Sequence, residues 1–356
     1  MSNENSVLND SKVEFVSNDT NEHIQSVLKN RQYSGIAGNA KAALNRLSEK
    51  NNNKQIGEVV PFEQKVTKIS FNNAPFKCDA MSMMAPVYSL SKPINPPKDK
   101  FNAEAQEKYN ARKNIKIKER RWKSVNGEQE LMVMPTALGQ PTMNYKKIII
   151  YIISCLVQLK NDRLPISRKV RFHVHDYLIA THTGVGKEEY ERFEQGLDRY
   201  VTTAIKTNLK SNRIEITSVF SLIDSYHLSK VEGRCEYVEV TISEWLFNAV
   251  EGFDVITISE DYFDLKPIEK RVYEVARKHV GNQAEVKIGI KHLLDKSGSD
   301  SCLKEFNRML RAIIDHDSLP DYRVKIIKDD AILYQKDVKK YAAALSSREA
   351  KKAAKK

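Results

Sequence analysis

The sequence predicts an α+β fold, because one order of elements can be traced twice: strand, short helix, glycine turn, longer helix, strands. The clearer copy spans residues 286–326, with a turn around Gly298, a longer helix over 301–315 and a strand over 322–326. Two helices joined by a tight turn form a helix-turn-helix, and the strand behind them makes a wing. A second copy follows the same order over 170–242. Two tandem winged-helix domains are therefore predicted.

The longer helix of the C-terminal copy has one apolar face and one polar face. Its apolar residues recur at the helical period and are Leu303, Phe306, Leu310, Ile313 and Ile314. The opposite face carries Ser301, Lys304, Arg308 and Arg311, and Ser299 lies in the turn before it. Arginine can pair with guanine edges, and lysine or serine can reach phosphates. We therefore predict that this helix reads DNA, although most amphipathic helices with exposed cations bind nothing.

The N-terminal copy begins with a strongly apolar helix over 144–160, which is expected to be buried. The elements that follow are a strand over 170–175, a helix over 176–181, a long helix over 187–207 and a hairpin that pairs 213–227 with 235–242. The long helix carries Lys187, Arg192 and Arg199 among Glu188, Glu191 and Asp198. Because these carboxylates repel phosphate, we expect only secondary DNA contacts from this helix, and the domain could instead serve dimerisation.

Composition divides the chain into four parts. Residues 1–75 are rich in Asn, Ser and Lys and predict a largely disordered leader. Within it, residues 37–47 could form a short amphipathic helix. The first winged-helix domain is placed at 76–250, with a basic strand region near its start, and the second, the main DNA reader, at 251–335. The basic and alanine-rich residues 336–356 are expected to be a frayed tail.

A dense basic cluster surrounds Trp122. Its eight cations, set against the single acid Glu119, are Lys108, Arg112, Lys113, Lys116, Lys118, Arg120, Arg121 and Lys123. The alternation of charged and apolar residues predicts a strand with its charges on one side. Such a strand could grip a phosphate backbone, with Lys118, Arg120 and Arg121 as contacts, or could be a solvated surface that binds nothing.

Length, charge and cysteine content restrict the class of protein. The 356 residues suffice for two domains with cores of their own. The formal net charge of +12 is typical of a protein that binds a polyanion. The four cysteines form no CxxC pair, so reduced thiols in a cytoplasm are expected, without disulfides or zinc. We expect no membrane span, since no apolar run reaches ~20 residues. We also expect no signal peptide and no cofactor.

Two motifs suggest catalysis. The His-Val-His segment at 173–175 fits the pattern with which some nucleases hold a metal ion beside an attacking tyrosine. Alternation along a strand puts both histidines on one face, but the winged-helix interpretation turns that face away from the core. Residues 184–187 approach a phosphate-binding loop, yet Thr181 and Glu188 replace its first glycine and its hydroxyl. We therefore expect no enzymatic activity, with a nicking nuclease as the alternative.

Six segments, in order, carry a resemblance to a known family. They are PVYSLSK (86–92), YERFEQGLDRYVTTAIKTN (190–208), VFSLIDSY (219–226), KPIEKRVYEVARKHVG (266–281), KIGIKHLLDKSGS (287–299) and LKEFNRMLRAIIDHDSLPDYRVKI (303–326). Over about 85–330 the chain resembles the plasmid replication initiator protein A family of bacteria.

The resemblance implies a tandem winged-helix protein that binds direct repeats, or iterons, in double-stranded DNA at a plasmid origin and helps to open the duplex. It implies further partners: a host replicative helicase, its loader or a host initiator, and a second copy of the chain, with dimers repressing and monomers initiating. It also places Lys325 and Lys328 on the second wing as DNA contacts. An autoregulatory transcriptional repressor without a replication role remains the alternative.

Overall fold

The computed structural model shows helices and strands in mixed order along the part of the chain that it describes. That part comprises residues 66–91, 101–110 without 105 and 109, 119–124, 127–208, 218–231 and 234–353. This mixture confirms the predicted α+β class. The expected helix at 37–47 and the candidate Lys118 lie outside the described residues. Within the described ranges, no helix combines the length and the apolar character needed to cross a membrane.

The N-terminal half is built on two sheets and a buried helix. Its elements are β1 (Thr67–Lys68), β2 (Lys77–Asp79), α1 (Ala80–Met84), β3 (Arg120–Lys123), β4 (Glu130–Met134), α2 (Lys146–Asn161), β5 (Lys169–His173), α3 (Val174–Ala180), α4 (Lys187–Thr202), β6 (Ala204–Thr207), β7 (Ser218–Phe220), β8 (Ile223–Val231), β9 (Arg234–Ile242) and α5 (Glu244–Glu251). Among the described residues the sheet orders are β1-β5-β9-β8 and β3-β4-β6-β7. Because α2 is apolar all round, residues 148–153 are fully buried in the core, as predicted.

The C-terminal half contains two helices joined by a short turn and followed by a hairpin. Its elements are β10 (Val255–Thr257), a 3₁₀ helix (Glu260–Asp264), α6 (Pro267–Val280), β11 (Glu285–Gly289), α7 (Ile290–Ser297), α8 (Leu303–His316), β12 (Tyr322–Ile327), β13 (Asp330–Gln335) and α9 (Val338–Ala353). Phe306, Leu310 and Ile313 of α8 are buried, which confirms the apolar stripe. Leu303 is the exception, because 44% of it is exposed.

The two halves repeat one arrangement of strands and helices. In the first, β5 leads through α3 and α4 to the hairpin β8–β9, and in the second, β11 leads through α7 and α8 to β12–β13. In both sheets the leading strand pairs antiparallel with the last strand of the hairpin, which gives the orders β5-β9-β8 and β11-β13-β12. The internal repeat seen in the sequence is thus present in the strand pairing. The first half differs by the insertion of β6 and β7.

Two predicted elements in the N-terminal half had wrong boundaries. The long helix ends at Thr202 rather than 207, because residues 204–207 pair with β4 as strand β6. The predicted first hairpin strand is broken: β7 pairs with β6, and only β8 pairs with β9. The local sequence favours a continuous helix through residue 207. Residues 204–207 include the β-branched Ile205 and Thr207, and pairing with the edge of β4 stabilises them as a strand instead.

The ends of the described chain are more ordered than predicted. Thr67 and Lys68, assigned to the leader, pair in parallel with β5, and Phe76 is buried, so the packed structure begins before residue 76. The expected frayed tail is helix α9, whose Tyr341 packs on Tyr334 and donates a hydrogen bond to Glu285 at 3.2 Å. The frayed tail was therefore a wrong prediction.

A buried charge cluster joins the two halves. The carboxylate of Glu274 on α6 accepts hydrogen bonds from Lys146 of α2 at 2.8 Å, from Arg271 at 2.9 Å and from the Tyr262 hydroxyl at 2.6 Å. The side chains of Lys146, Arg271 and Glu274 are at most 2% exposed. Burial by itself would lower the pKa of Lys146, but nearby negative groups, including Glu274, raise this pKa overall. The lysine therefore stays charged against its carboxylate.

We predict that Glu274→Gln destabilises the protein by ~3–5 kcal/mol, because it leaves two buried cations without their counter-charge. Urea unfolding followed by the fluorescence of Trp122 and Trp245 would measure the loss. Glu260→Gln is the matched control, since this carboxylate is 70% exposed beside His182, and it should change stability by less than ~1 kcal/mol. Equal effects of the two substitutions would contradict the structural role of the cluster.

Candidate nucleic-acid interface

A cleft of about 990 Å³ lies between α8 and the tip of the β12–β13 hairpin. Three elements contribute its polar and apolar lining: Lys291 and His292 from α7; Leu303, Lys304, Asn307, Arg308 and Arg311 from α8; and Ile326 and Lys328 from the hairpin. The predicted residues Lys304, Arg308 and Arg311 of α8 thus come together with the predicted wing residue Lys328.

The turn between α7 and α8 sets the angle at which α8 faces this cleft. Gly298 has a φ of 67°, in the left-handed region that glycine adopts without strain. The turn is held by serine hydroxyls, since Ser299 N donates to the Ser297 Oγ at 3.1 Å and Ser301 N donates to the Ser299 Oγ at 3.2 Å. Because α8 begins at Leu303, Ser301 lies in the turn and not on the helix face, contrary to the prediction.

Most of the cations at the cleft are not neutralised by the protein. Among the described residues, Lys291, Lys304, Arg311 and Lys328 have no ion-pair partner, and all four are exposed. Arg308 forms an exposed ion pair, at 2.6 Å, with Glu305, which lies one helical turn before it. That contact raises the pKa of Arg308 and lowers that of Glu305. The cleft therefore presents free positive charge alongside the carboxylates of Glu305, Asp329 and Asp330.

The equivalent helix of the N-terminal half, α4, has neutralised its cations. Lys187 lies 3.9 Å from Glu191, and Arg192 pairs with Glu188 at 3.0 Å and also with Glu189. Arg199 is only 5% exposed; its guanidinium lies over the Tyr145 ring and donates to the Gln195 carbonyl at 2.9 Å. The prediction that Arg199 contacts DNA is wrong, because the residue packs on α2 instead of facing solvent.

The described part of the basic strand supports the turn. β3 spans residues 120–123, and Arg120 donates to the carbonyl of Gly298 and to the carboxylate of Asp300, the latter at 2.9 and 3.1 Å. The ammonium of Lys296 lies over the Trp122 ring, 5.6 Å from its centre. Arg120 is therefore engaged within the protein rather than free for phosphate. Arg121 is exposed and pairs with Glu119 at 2.8 Å.

Residues 79–324 match the sequence model of the family described as Replication initiator protein A. This chain belongs to that family of replication initiators. A relative from Wigglesworthia glossinidia brevipalpis, described as "Putative replication protein", is 35% identical over 217 residues, which cover 59% of this chain and 79% of the relative.

Two crystal structures of RctB domains 2 and 3 align with part of this initiator at low similarity. The first aligns with a TM-score of 0.45 and 10% identity over 64% of this chain and 94% of the other. The second, a selenomethionine form, aligns with a TM-score of 0.46 and 12% identity over 62% and 91% of the two chains.

The remaining predicted residues of the initiator lie away from the cleft. Lys325 on β12 is 3.7 Å from Glu285 and lies over the Tyr334 ring, and it is not part of the cleft lining.

The two histidines of the His-Val-His segment at 173–175 do not share a strand face. His173 ends β5 and packs against the Tyr237 ring at a tilt of 40°, whereas His175 lies in α3, which begins at the buried Val174. In the described ranges, no group of three or more His, Cys, Asp or Glu could hold a metal ion.

Sequence reasoning missed three residues of the cleft. Lys291 and His292 lie at the start of α7, and Asn307 lies on α8 between the predicted cations. Asn307 is four residues after Leu303, so helical phase counted from Leu303 would have found it. No pattern in the sequence marks Lys291 and His292 as cleft residues, because their place in the cleft depends on how the β12–β13 hairpin packs beside α7 and α8.

Gly298→Ala should destabilise the initiator far more than Gly139→Ala. Both glycines have positive φ, 67° and 78°, so each substitution costs ~1–2 kcal/mol of backbone strain. A Cβ at 298 would lie 2.4 Å from the Cβ of Pro86, whereas one at 139 would meet nothing within 4 Å. Overpacking adds ~1–3 kcal/mol at 298 alone. Thermal unfolding of the two variants measures the difference; equal losses would show that the turn is not packed as described.

Proposed function

We propose that this initiator binds double-stranded DNA by inserting α8 into the major groove. The observation that carries the proposal is the contrast between two equivalent helices. The cations around α8 are exposed and mostly unpaired, whereas those of α4 are paired with glutamates or buried. Free cations beside a helix can replace the counterions of DNA phosphates, whereas neutralised cations gain little from doing so.

The two halves act as tandem winged helices in this proposal. The shared order of a leading strand, two helices and a hairpin that pairs back onto the leading strand supports it. Helix α8 is the recognition helix, and the β12–β13 hairpin with Lys328 at its tip is the wing. Helix α4 belongs to a supporting winged helix, which makes at most a minor contribution to reading the sequence and is available for self-association.

The chemistry of the cleft divides into positioning and reading. Lys291, Lys304 and Lys328 bind phosphates, because a lysine ammonium is a point charge that suits phosphate oxygens. Arg311 can pair with both acceptors of a guanine edge. Arg308 is held by Glu305 in the free protein, but both partners are exposed, so phosphate or guanine can replace the carboxylate at low cost.

Membership of the initiator family supports binding to repeated sequences at a replication origin, with opening of the duplex and recruitment of a host helicase, loader or initiator. We further propose that the protein acts by binding alone, in the cytoplasm, without catalytic chemistry or a cofactor. A transcriptional repressor with the same cleft is the second candidate. The two differ in where the bound sequence lies, within an origin or only at the promoter of the protein's own gene.

Fluorescence anisotropy with duplexes from either side of the coding region, over a salt series, tests the proposal. Lys304→Ala should weaken binding to all duplexes and reduce the salt slope by about 1, whereas Arg311→Ala should cost ~1–3 kcal/mol and relax sequence preference. Arg192→Ala is the matched control on α4, and it should bind nearly as the wild type does. If Arg192→Ala were the damaging change and the α8 variants bound normally, the assignment of the reading helix would be wrong.

A further inference from the structure

Three residues of α8 form a row along the cleft. Leu303, Asn307 and Arg311 follow one another at i, i+4 and i+8, so they lie on one stripe of the helix. Successive members are about 6 Å apart along the helix axis, which corresponds to roughly two base pairs of DNA. The members differ in chemistry: an apolar side chain, an amide and a guanidinium.

Two members of this row present groups to solvent that the described part of the protein does not fully use. Leu303 is 44% exposed although the other apolar positions of α8 pack inward. The amide of Asn307 is partly exposed and, within the described part of the chain, has no hydrogen-bond partner. A phosphate can accept a hydrogen bond from the Asn307 amide nitrogen, but it offers no donor to the amide oxygen and no apolar surface to Leu303. A base edge offers all three.

We propose that this row commits the initiator to sites that combine A·T and G·C pairs in a fixed order. The inference rests on the proposed function. Asn307 pairs through its amide with the N6 and N7 groups of an adenine, Leu303 contacts the 5-methyl group of a thymine, and Arg311 pairs with a guanine. The adenine thus lies between the thymine and the guanine contacts, about two base pairs from each.

Three polar neighbours of the row, Lys304, Glu305 and Asp330, do not compete for these roles. Lys304 lies on the adjacent stripe of α8, and its ammonium offers donors without an acceptor, so it cannot match the donor–acceptor edge of adenine. The carboxylates of Glu305 and Asp330 are already held by Arg308 and Lys287, at 2.6 and 2.8 Å. Asn307 supplies a donor and an acceptor together, which is the combination that adenine requires.

Selection from a pool of random duplexes by the full-length chain tests the inference. The wild type should select a consensus in which an adenine lies between a thymine and a guanine, about two base pairs from each. Asn307→Ala should lose preference at the adenine alone, and Leu303→Ala at the thymine alone. Asn282→Ala and Leu164→Ala are the matched controls, because both residues are exposed and lie outside the cleft; they should select the wild-type consensus.

Base analogues in the selected duplex then test each contact atom. Replacing the adenine by 7-deazaadenine removes the N7 acceptor and should weaken wild-type binding roughly 5- to 150-fold. The same analogue should not weaken Asn307→Ala further. Replacing the thymine by deoxyuridine removes only the methyl group, and its smaller effect should disappear in Leu303→Ala.

Two outcomes would overturn the inference, and they are distinguishable. If the wild type selects a clear consensus and both variants select the same one, Leu303 and Asn307 do not read bases, while the proposed function stands. If the wild type selects no consensus at all, sequence reading by α8 fails, and the proposed function fails with it.

Discussion

The buried carboxylate of Glu274 is the constraint on which the arrangement of the two halves depends. It lies on α6 and holds Lys146 of the N-terminal half, together with Arg271. Arg271 in turn donates to the carbonyls of Ser82 at 2.8 Å and Lys296 at 2.7 Å. A buried charge cluster is tolerated only when each member is satisfied. The cluster therefore fixes the end of α7, and with it the turn into α8, relative to the N-terminal core.

The same turn is also held from outside the C-terminal half. Arg120 of β3 donates hydrogen bonds to the Gly298 carbonyl and the Asp300 carboxylate. The ring of Pro86 lies so close to Gly298 that a Cβ at position 298 would clash with it. In the function proposed above, the N-terminal half would contribute to DNA reading without touching bases, by orienting α8. This division of labour would account for the neutralised cations of α4, whereas most of those at the cleft have no ion-pair partner among the described residues.

Features that depend on the period of one helix could be predicted from sequence, and features that depend on a distant partner could not. The burial of α2 and the inward stripe of α8 follow from spacing alone. Arg199 was misassigned because its side chain packs on Tyr145, and residues 204–207 because β4 offers a strand edge. Lys146 and Glu274 are 128 positions apart, and no local pattern links them. The cleft was predicted only in part, since the fold-back of the hairpin brings Lys291 and Lys328 to α8.

The most direct test of the central claim uses the thiol of Cys302, which precedes α8 and lines the cleft. It is exposed, whereas Cys78, Cys155 and Cys235 are buried, and burial raises their pKa values to about 12, 12 and 11, so they react slowly. The rate of maleimide modification would be measured with and without saturating duplex from the selected site. We predict that DNA protects Cys302 and leaves a cysteine substituted for Glu188 on α4 reactive. An unchanged rate at Cys302, with protection on α4, would contradict the account.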